Sequence, residues 1–223
     1  LEAALAAEAA FFDLLPRATR PPLRAIVLAS CAREDARELL ALAVSSGSDS
    51  IREMAMRMLA LRRAYGQAPR VLEALGRMGR FTVYDLARAV APLARETDAP
   101  ILAEMLASVQ DSARLSAAII LAERPGLASD PAVRAALIRA LQDDYSYVRA
   151  RAAEALGKAR ARSAVPRLIL TLNDYSLDTR SNAIEALGLI GDADGAQSAA
   201  TEAWRSVKLN PRWLRALALS GTA

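Results

Sequence analysis

The sequence predicts an all-α protein, an α-solenoid in which about seven antiparallel helix pairs stack into a right-handed superhelix. Three observations carry that expectation. Alanine and leucine dominate a chain of 53% apolar and 4% aromatic residues. A repeat recurs at intervals near 31 residues. Within each copy the apolar residues fall at helical spacing. β-Branched residues never run together for more than a few positions, so propensity favours helix over strand throughout and no sheet is expected.

The repeat is clearest where Asp144-Tyr145-Ser146-Tyr147-Val148-Arg149, running into Ala153-Glu154-Ala155-Leu156-Gly157, is followed by Asp174-Tyr175-Ser176-Leu177-Asp178-Thr179-Arg180, running into Ile184-Glu185-Ala186-Leu187-Gly188. Fainter copies begin at Asp111-Ser112-Ala113-Arg114 and at Asp49-Ser50-Ile51-Arg52. A second marker agrees: Pro69, Pro100 and Pro131 stand 31 residues apart and Pro166 follows 35 later. Each proline opens an apolar-periodic segment, where the first helical turn tolerates it.

Each unit reads as two short helices. Val133, Leu137 and Leu141 make an i, i+4, i+8 stripe, and Val148, Ala152, Ala155, Leu156 and Ala159 repeat helical spacing on the next helix. Neither helix is long enough to be stable alone, so each buries its stripe against its partner and the adjoining units. The expected pairs cover roughly 1–30, 34–64, 67–95, 98–123, 130–160, 162–191 and 194–221. Pro21-Pro22, Gly47, Gly66, Pro125-Gly126, Gly191-Asp192 and Asn210-Pro211 punctuate them. No segment reads as a linker, so 1–223 is expected to be a single domain.

Composition narrows the chemistry. The chain has no histidine, which removes the usual general base, the usual metal ligand and every Ser-His or Cys-His pair. Gly76-Arg77-Met78-Gly79 lacks the Lys-Ser/Thr and the preceding strand of a phosphate loop. Asp143-Asp144 and the pair Asp192 and Asp194 lie in expected turns, where Asp caps the following helix. Cys31 is the one cysteine, so no internal disulfide forms, and its apolar neighbours mark it as a small buried residue. No catalytic residue, cofactor or metal site is therefore expected.

The apolar runs 25–29 and 117–122 fall far short of the roughly 20 residues that a membrane span needs. The first residue is Leu1, which leaves an upstream signal or anchor open; the default expectation is a cytoplasmic protein. Net charge is +4, from 29 basic and 25 acidic residues. Only Lys158 and Lys208 are lysine, which the codon usage of a GC-rich genome explains ahead of nucleic-acid binding.

The stretch 144–159, with Ala164-Val165-Pro166-Arg167-Leu168 and Leu172-Asn173-Asp174, resembles the short bacterial HEAT repeat also found in phycobilisome-lyase-like proteins and in artificial consensus-repeat scaffolds. The resemblance is specific over 130–191, weaker over 34–123, and one of periodicity at the termini. It implies a superhelix whose second helices line a concave face, a platform for protein or nucleic-acid partners, with no common chemistry. It also implies that the recurring Arg52, Arg114, Arg149 and Arg180, with looser counterparts Arg24 and Arg212, pair with Asp49, Asp111, Asp144 and Asp174 in a ladder tying unit to unit. An arginine fork suits such bidentate pairing.

If the arginines are structural, the candidate partner-binding positions lie two and five residues after them: Met54 and Arg57, Ser116 and Ile119, Arg151 and Glu154, Asn182 and Glu185. The central unit, aligned on Tyr84, contributes Leu86 and Ala89, or Asp85 and Arg88 in a frame shifted by one. Two readings of this row stand side by side. In one it is a groove with an apolar and a polar end, suited to a peptide or helix of a protein partner. In the other Met54, Leu86 and Ile119 are ordinary core. Tyr145, Tyr147 and Tyr175 fall in turns, with a packing role favoured over recognition, and Trp204 and Trp213 are expected to close the last unit. The expected function is a non-enzymatic scaffold or adaptor binding a protein through the concave face. The alternatives are nucleic-acid binding along an arginine stripe, including a HEAT-like DNA glycosylase, and a regulatory domain of a longer membrane-associated or enzymatic polypeptide.

Overall fold

The computed structural model describes residues 41, 43–47, 49–61, 63–79, 83–192, 194, 195, 197–199 and 201. The expected unit 1–30, Cys31, Pro21-Pro22, Arg24, Trp204, Trp213, Arg212, Asn210-Pro211 and most of the expected unit 194–221 lie outside them.

Helix α1 spans Asp49–Leu61, α2 Ala68–Leu75, α3 Val83–Val90, α4 Ala99–Leu106, α5 Asp111–Glu123, α6 Pro131–Ala140, α7 Ser146–Lys158, α8 Val165–Thr171 and α9 Leu177–Ile190. No strand occurs among the described residues. Short 3-10 turns at Tyr65–Gln67, Glu96–Asp98, Pro125–Ser129 and Arg162–Ala164 lead into α2, α4, α6 and α8. Pro69, Pro100, Pro131 and Pro166 each sit in the first turn of those helices, where their missing N–H removes nothing from the helix. Asp130 caps α6 by accepting from the N–H groups of Ala132 (2.8 Å) and Val133 (3.1 Å). Gly191, at φ 69°, ends α9 in the left-handed conformation that glycine adopts without strain.

The helices form two layers. The second helices make one, with α1 against α3, α3 against α5, α5 against α7 and α7 against α9; α2, α4 and α6 pack in order in the other. The second-helix layer is the more closely packed, which small residues permit. A Cβ added to Gly157 of α7 would lie 2.5 Å from the Ala186 Cα of α9. Helix α5, flanked by α3 and α7 and backed by α4, is buried at every position from Leu115 to Ala122. A helix apolar all round needs such a site. The core runs unbroken along the stack, with Met56, Met58, Leu59, Leu72, Leu75, Leu86, Leu93 and Leu102 its largest fully buried side chains. The chain is an all-α repeat solenoid. No helix among the described residues is long and apolar enough to cross a membrane.

Candidate functional site

The recurring arginines are anchored at the turns before the second helices. In every described copy Nη1 donates to the carbonyl six residues upstream: Arg52 to Ser46 (2.7 Å), Arg114 to Ser108 (2.9 Å), Arg149 to Asp143 (2.7 Å) and Arg180 to Asp174 (2.7 Å). Two of them also grip the next turn bidentately. Arg114 donates to Asp143 at 2.6 and 3.1 Å, and Arg149 to Asp174 at 2.6 and 2.9 Å. The ladder implied by the resemblance joins units at these two rungs, with two corrections: Asp143, not Asp144, receives the preceding arginine, and Asp49 and Asp111 pair with Arg52 and Arg114 of their own turns. Asp143 also accepts from the Tyr145 N–H at 2.9 Å, as Asp174 does from Ser176 at 2.8 Å, and this local turn holds each carboxylate toward the preceding unit. Only the carbonyl of Asp144 takes part, accepting from Arg149 at 3.1 Å. The usable signal in the sequence was the interval: Asp143 precedes Arg149 by six residues, as Asp174 precedes Arg180.

Burial opposes the charged form of Asp174, yet hydrogen bonds from Arg149 and the Ser176 N–H outweigh it and hold its pKa below the ordinary carboxylate value. The same hydrogen bond, against desolvation, raises the pKa of Arg149. These arginines are fixed cations committed to the fold.

The row beside them divides. Met54, Leu86, Ser116, Ile119 and Asn182 are buried, whereas Arg57, Arg151, Glu154 and Glu185 are half-buried and Arg88 is exposed. The buried members are corrected to core and support. The reason is geometric. Helix α5, which carries Ser116 and Ile119, is enclosed by α3, α7 and α4, and Arg151 of α7 places its guanidinium 5.4 Å from the Tyr84 ring of α3. Ser116 turns its hydroxyl back to the Ser112 carbonyl at 2.6 Å.

What remains at the surface of the second-helix layer is a lattice of charge pairs. Arg57 meets Glu53 of its own helix at 2.9 Å, Arg88 of α3 meets Glu123 of α5 at 2.8 Å, and Glu154 of α7 meets both Arg151 and Lys158, the latter at 2.8 Å. Lys158 also donates to the Ala122 carbonyl of α5 at 3.0 Å. The hydrogen bond and charge of Glu123 raise the pKa of Arg88. Glu53, Glu123 and Lys158 were missed in the sequence. Their signal was the 35-residue spacing of Arg88, Glu123 and Lys158, one per second helix.

This surface offers alternating charges and one aromatic ring on a rigid layer, with no cluster of His, Cys, Asp or Glu able to hold a metal ion among the described residues. Comparison with curated proteins gives no match. The family of HEAT repeats matches residues 135–219. Among solved structures the chain is similar to YibA of E. coli, with TM-score 0.59 and 19% identity over 96% of this chain and 80% of that one. It is also similar to an engineered protein, with TM-score 0.56 and 18% identity over 85% and 97%. A designed armadillo repeat protein in complex with the peptide (KR)4 gives TM-score 0.56 and 13% identity over 84% and 98%. At these identities the likeness shows the fold. With the two-layer stack, it identifies an all-α repeat solenoid of the HEAT and armadillo kind.

Proposed function

We propose that this chain is a non-enzymatic scaffold or adaptor that binds a segment of a protein partner on the surface of its second-helix layer, through Arg57, Arg88, Arg151, Glu154 and Glu185. The observation that carries the reading is the Arg88–Glu123 and Tyr84–Arg151–Glu154–Lys158 lattice, which joins α3, α5 and α7 into one surface carrying both signs of charge and an aromatic. Such a surface matches a peptide of mixed side chains. A polyanion would meet the carboxylates Glu53, Glu123 and Glu154 beside each cation, where duplex binding needs clustered, unneutralised Lys and Arg. The similar designed armadillo repeat protein is in complex with a peptide, (KR)4, which supports a peptide as the kind of ligand a stack of this layout takes.

The test is a peptide-display selection on the whole chain, with selected peptides measured by fluorescence polarisation. Arg88→Ala with Arg151→Ala should weaken them about tenfold, roughly 1.4 kcal/mol, while Arg139→Ala on exposed α6 surface leaves them unchanged. Equal loss from Arg139→Ala, or none from the pair, sinks the reading. Substitution of Met54 or Ile119 would report on the core instead. Gel-shift titration addresses the nucleic-acid alternative: retention of duplex DNA that falls steeply between low and moderate salt would favour it.

A further inference from the structure

We propose that the edge formed by the turns entering α5, α7 and α9 is a second docking surface, for a basic segment of a partner protein that carries apolar side chains between its Lys or Arg residues. These turns follow one another along the stack, because Arg114–Asp143 and Arg149–Asp174 tie each to the next. Their side chains leave the edge open. Val109, Tyr147, Tyr175 and Leu177 are 95%, 51%, 79% and 56% exposed, and among the described residues the other exposed large apolar side chains are Val44, Leu61 and Leu170, outside these turns. Four exposed apolar side chains gathered on three successive turns mark a candidate interaction site where single scattered ones do not.

The two outer rings are seated on structure. Tyr147 packs on Tyr145 with centroids 5.3 Å apart, and Tyr175 lies over the Arg149 guanidinium at 4.6 Å. Ordering them on binding therefore loses little freedom, the property that makes aromatic anchors effective.

Charge selects the occupant. Arg114 and Arg149 are paired with the ladder carboxylates, while the half-buried Arg180 donates to the carbonyls of Asp174 and Tyr175. Asp144 and Asp178 are exposed beside the aromatics, with no side-chain partner among the described residues. An apolar ridge rimmed by unneutralised carboxylates complements Arg or Lys, whose stems pack on apolar surface and whose heads meet ring faces and carboxylates. Adjacent helices lie about 8–10 Å apart, so three turns span roughly 20 Å, about six residues of extended chain at about 3.3 Å each.

The surface differs from the second-helix face, so one set of variants separates the two. The probe is a fluorescein-labelled hexapeptide of alternating arginine and leucine, with a glutamate-leucine counterpart, titrated by fluorescence polarisation against the whole chain. The arginine peptide should bind and the glutamate peptide should not. Tyr147→Ser with Tyr175→Ser, and separately Asp144→Asn with Asp178→Asn, should each weaken it about tenfold, while Arg88→Ala with Arg151→Ala leaves it unchanged. Circular dichroism confirms that the variants are folded, as expected for exposed positions. Equal binding of both peptides, no loss in the edge variants, or loss in the face variant instead overturns the proposal. So does a dimer seen by light scattering that Tyr175→Ser dissociates, since the occupant is then a second copy of this chain.

Discussion

The Arg149–Asp174 pair shows how differently two ion pairs of one protein can matter. Both its side chains are nearly buried, the pair is bidentate, and the carboxylate also accepts a backbone N–H. Removing one partner of a buried pair leaves the other charge uncompensated, at about 3 kcal/mol. Arg88–Glu123, by contrast, is solvated on both sides and contributes less than about 1 kcal/mol. Asp174→Asn should therefore destabilise the protein by about 2–3 kcal/mol at pH 7 in urea unfolding. Because the folded pKa of Asp174 lies below the ordinary value near 3.9, its contribution is complete above about pH 4 and is lost as pH falls toward the folded value. The gap between wild type and variant should narrow at pH 2.5; a gap of constant size would show that the charge of Asp174 is not what stabilises the turn.

Among elements, the first helices were plain in the sequence because a proline starts each and one apolar stripe runs along it. The second helices were legible as helices but not in their exposed faces. Periodicity assigns a residue to one side of its own helix, whereas Ser116 and Ile119 lie on a helix enclosed by α3, α7 and α4. That enclosure depends on how closely the neighbouring helices approach, which no spacing within α5 records. Gly157 is similar: its place in the repeat was visible, but the backbone of α9 behind it was not. Gly157→Ala gains about 1 kcal/mol of helix propensity, yet the new Cβ meets backbone of α9 at 2.5 Å and forces the closest layer apart. A net loss of about 1–2 kcal/mol is expected from thermal denaturation. Gly126→Ala, whose Cβ meets nothing within 4 Å, should change stability little; equal effects at the two sites would deny the close approach.

Across the whole molecule, turn arginines stitch one edge of the stack. At the other edge Arg95 lies 4.4 Å over the ring of Tyr65, Arg124 donates to the Pro92 carbonyl at 3.3 Å, and Lys158 donates to that of Ala122. Each of these edge stitches reaches only to the adjoining unit, in keeping with nearest-neighbour stability in a solenoid, whereas Arg151 over Tyr84 spans two units on the second-helix face. The arginine clasp on the carbonyl six residues upstream has a consequence for how such a chain can lengthen. From clasp to next proline is 17 residues in three units, Arg52 to Pro69, Arg114 to Pro131 and Arg149 to Pro166, whereas proline to the following arginine is 14, 18 and 14 in the units of Pro100, Pro131 and Pro166. The added length falls in α6, which has ten residues where α4 has eight and α8 seven, and four residues are close to one helical turn. Duplicating 167–170 within α8 should thus be accommodated with little change in melting midpoint. One residue inserted between Asp144 and Tyr145 should lower stability by about 2 kcal/mol or more, by opening the charged hydrogen bonds of Arg149. The difference in size among these units of the chain is thus about one whole turn of the first helix, and the clasped bend is the fixed gauge against which each is measured.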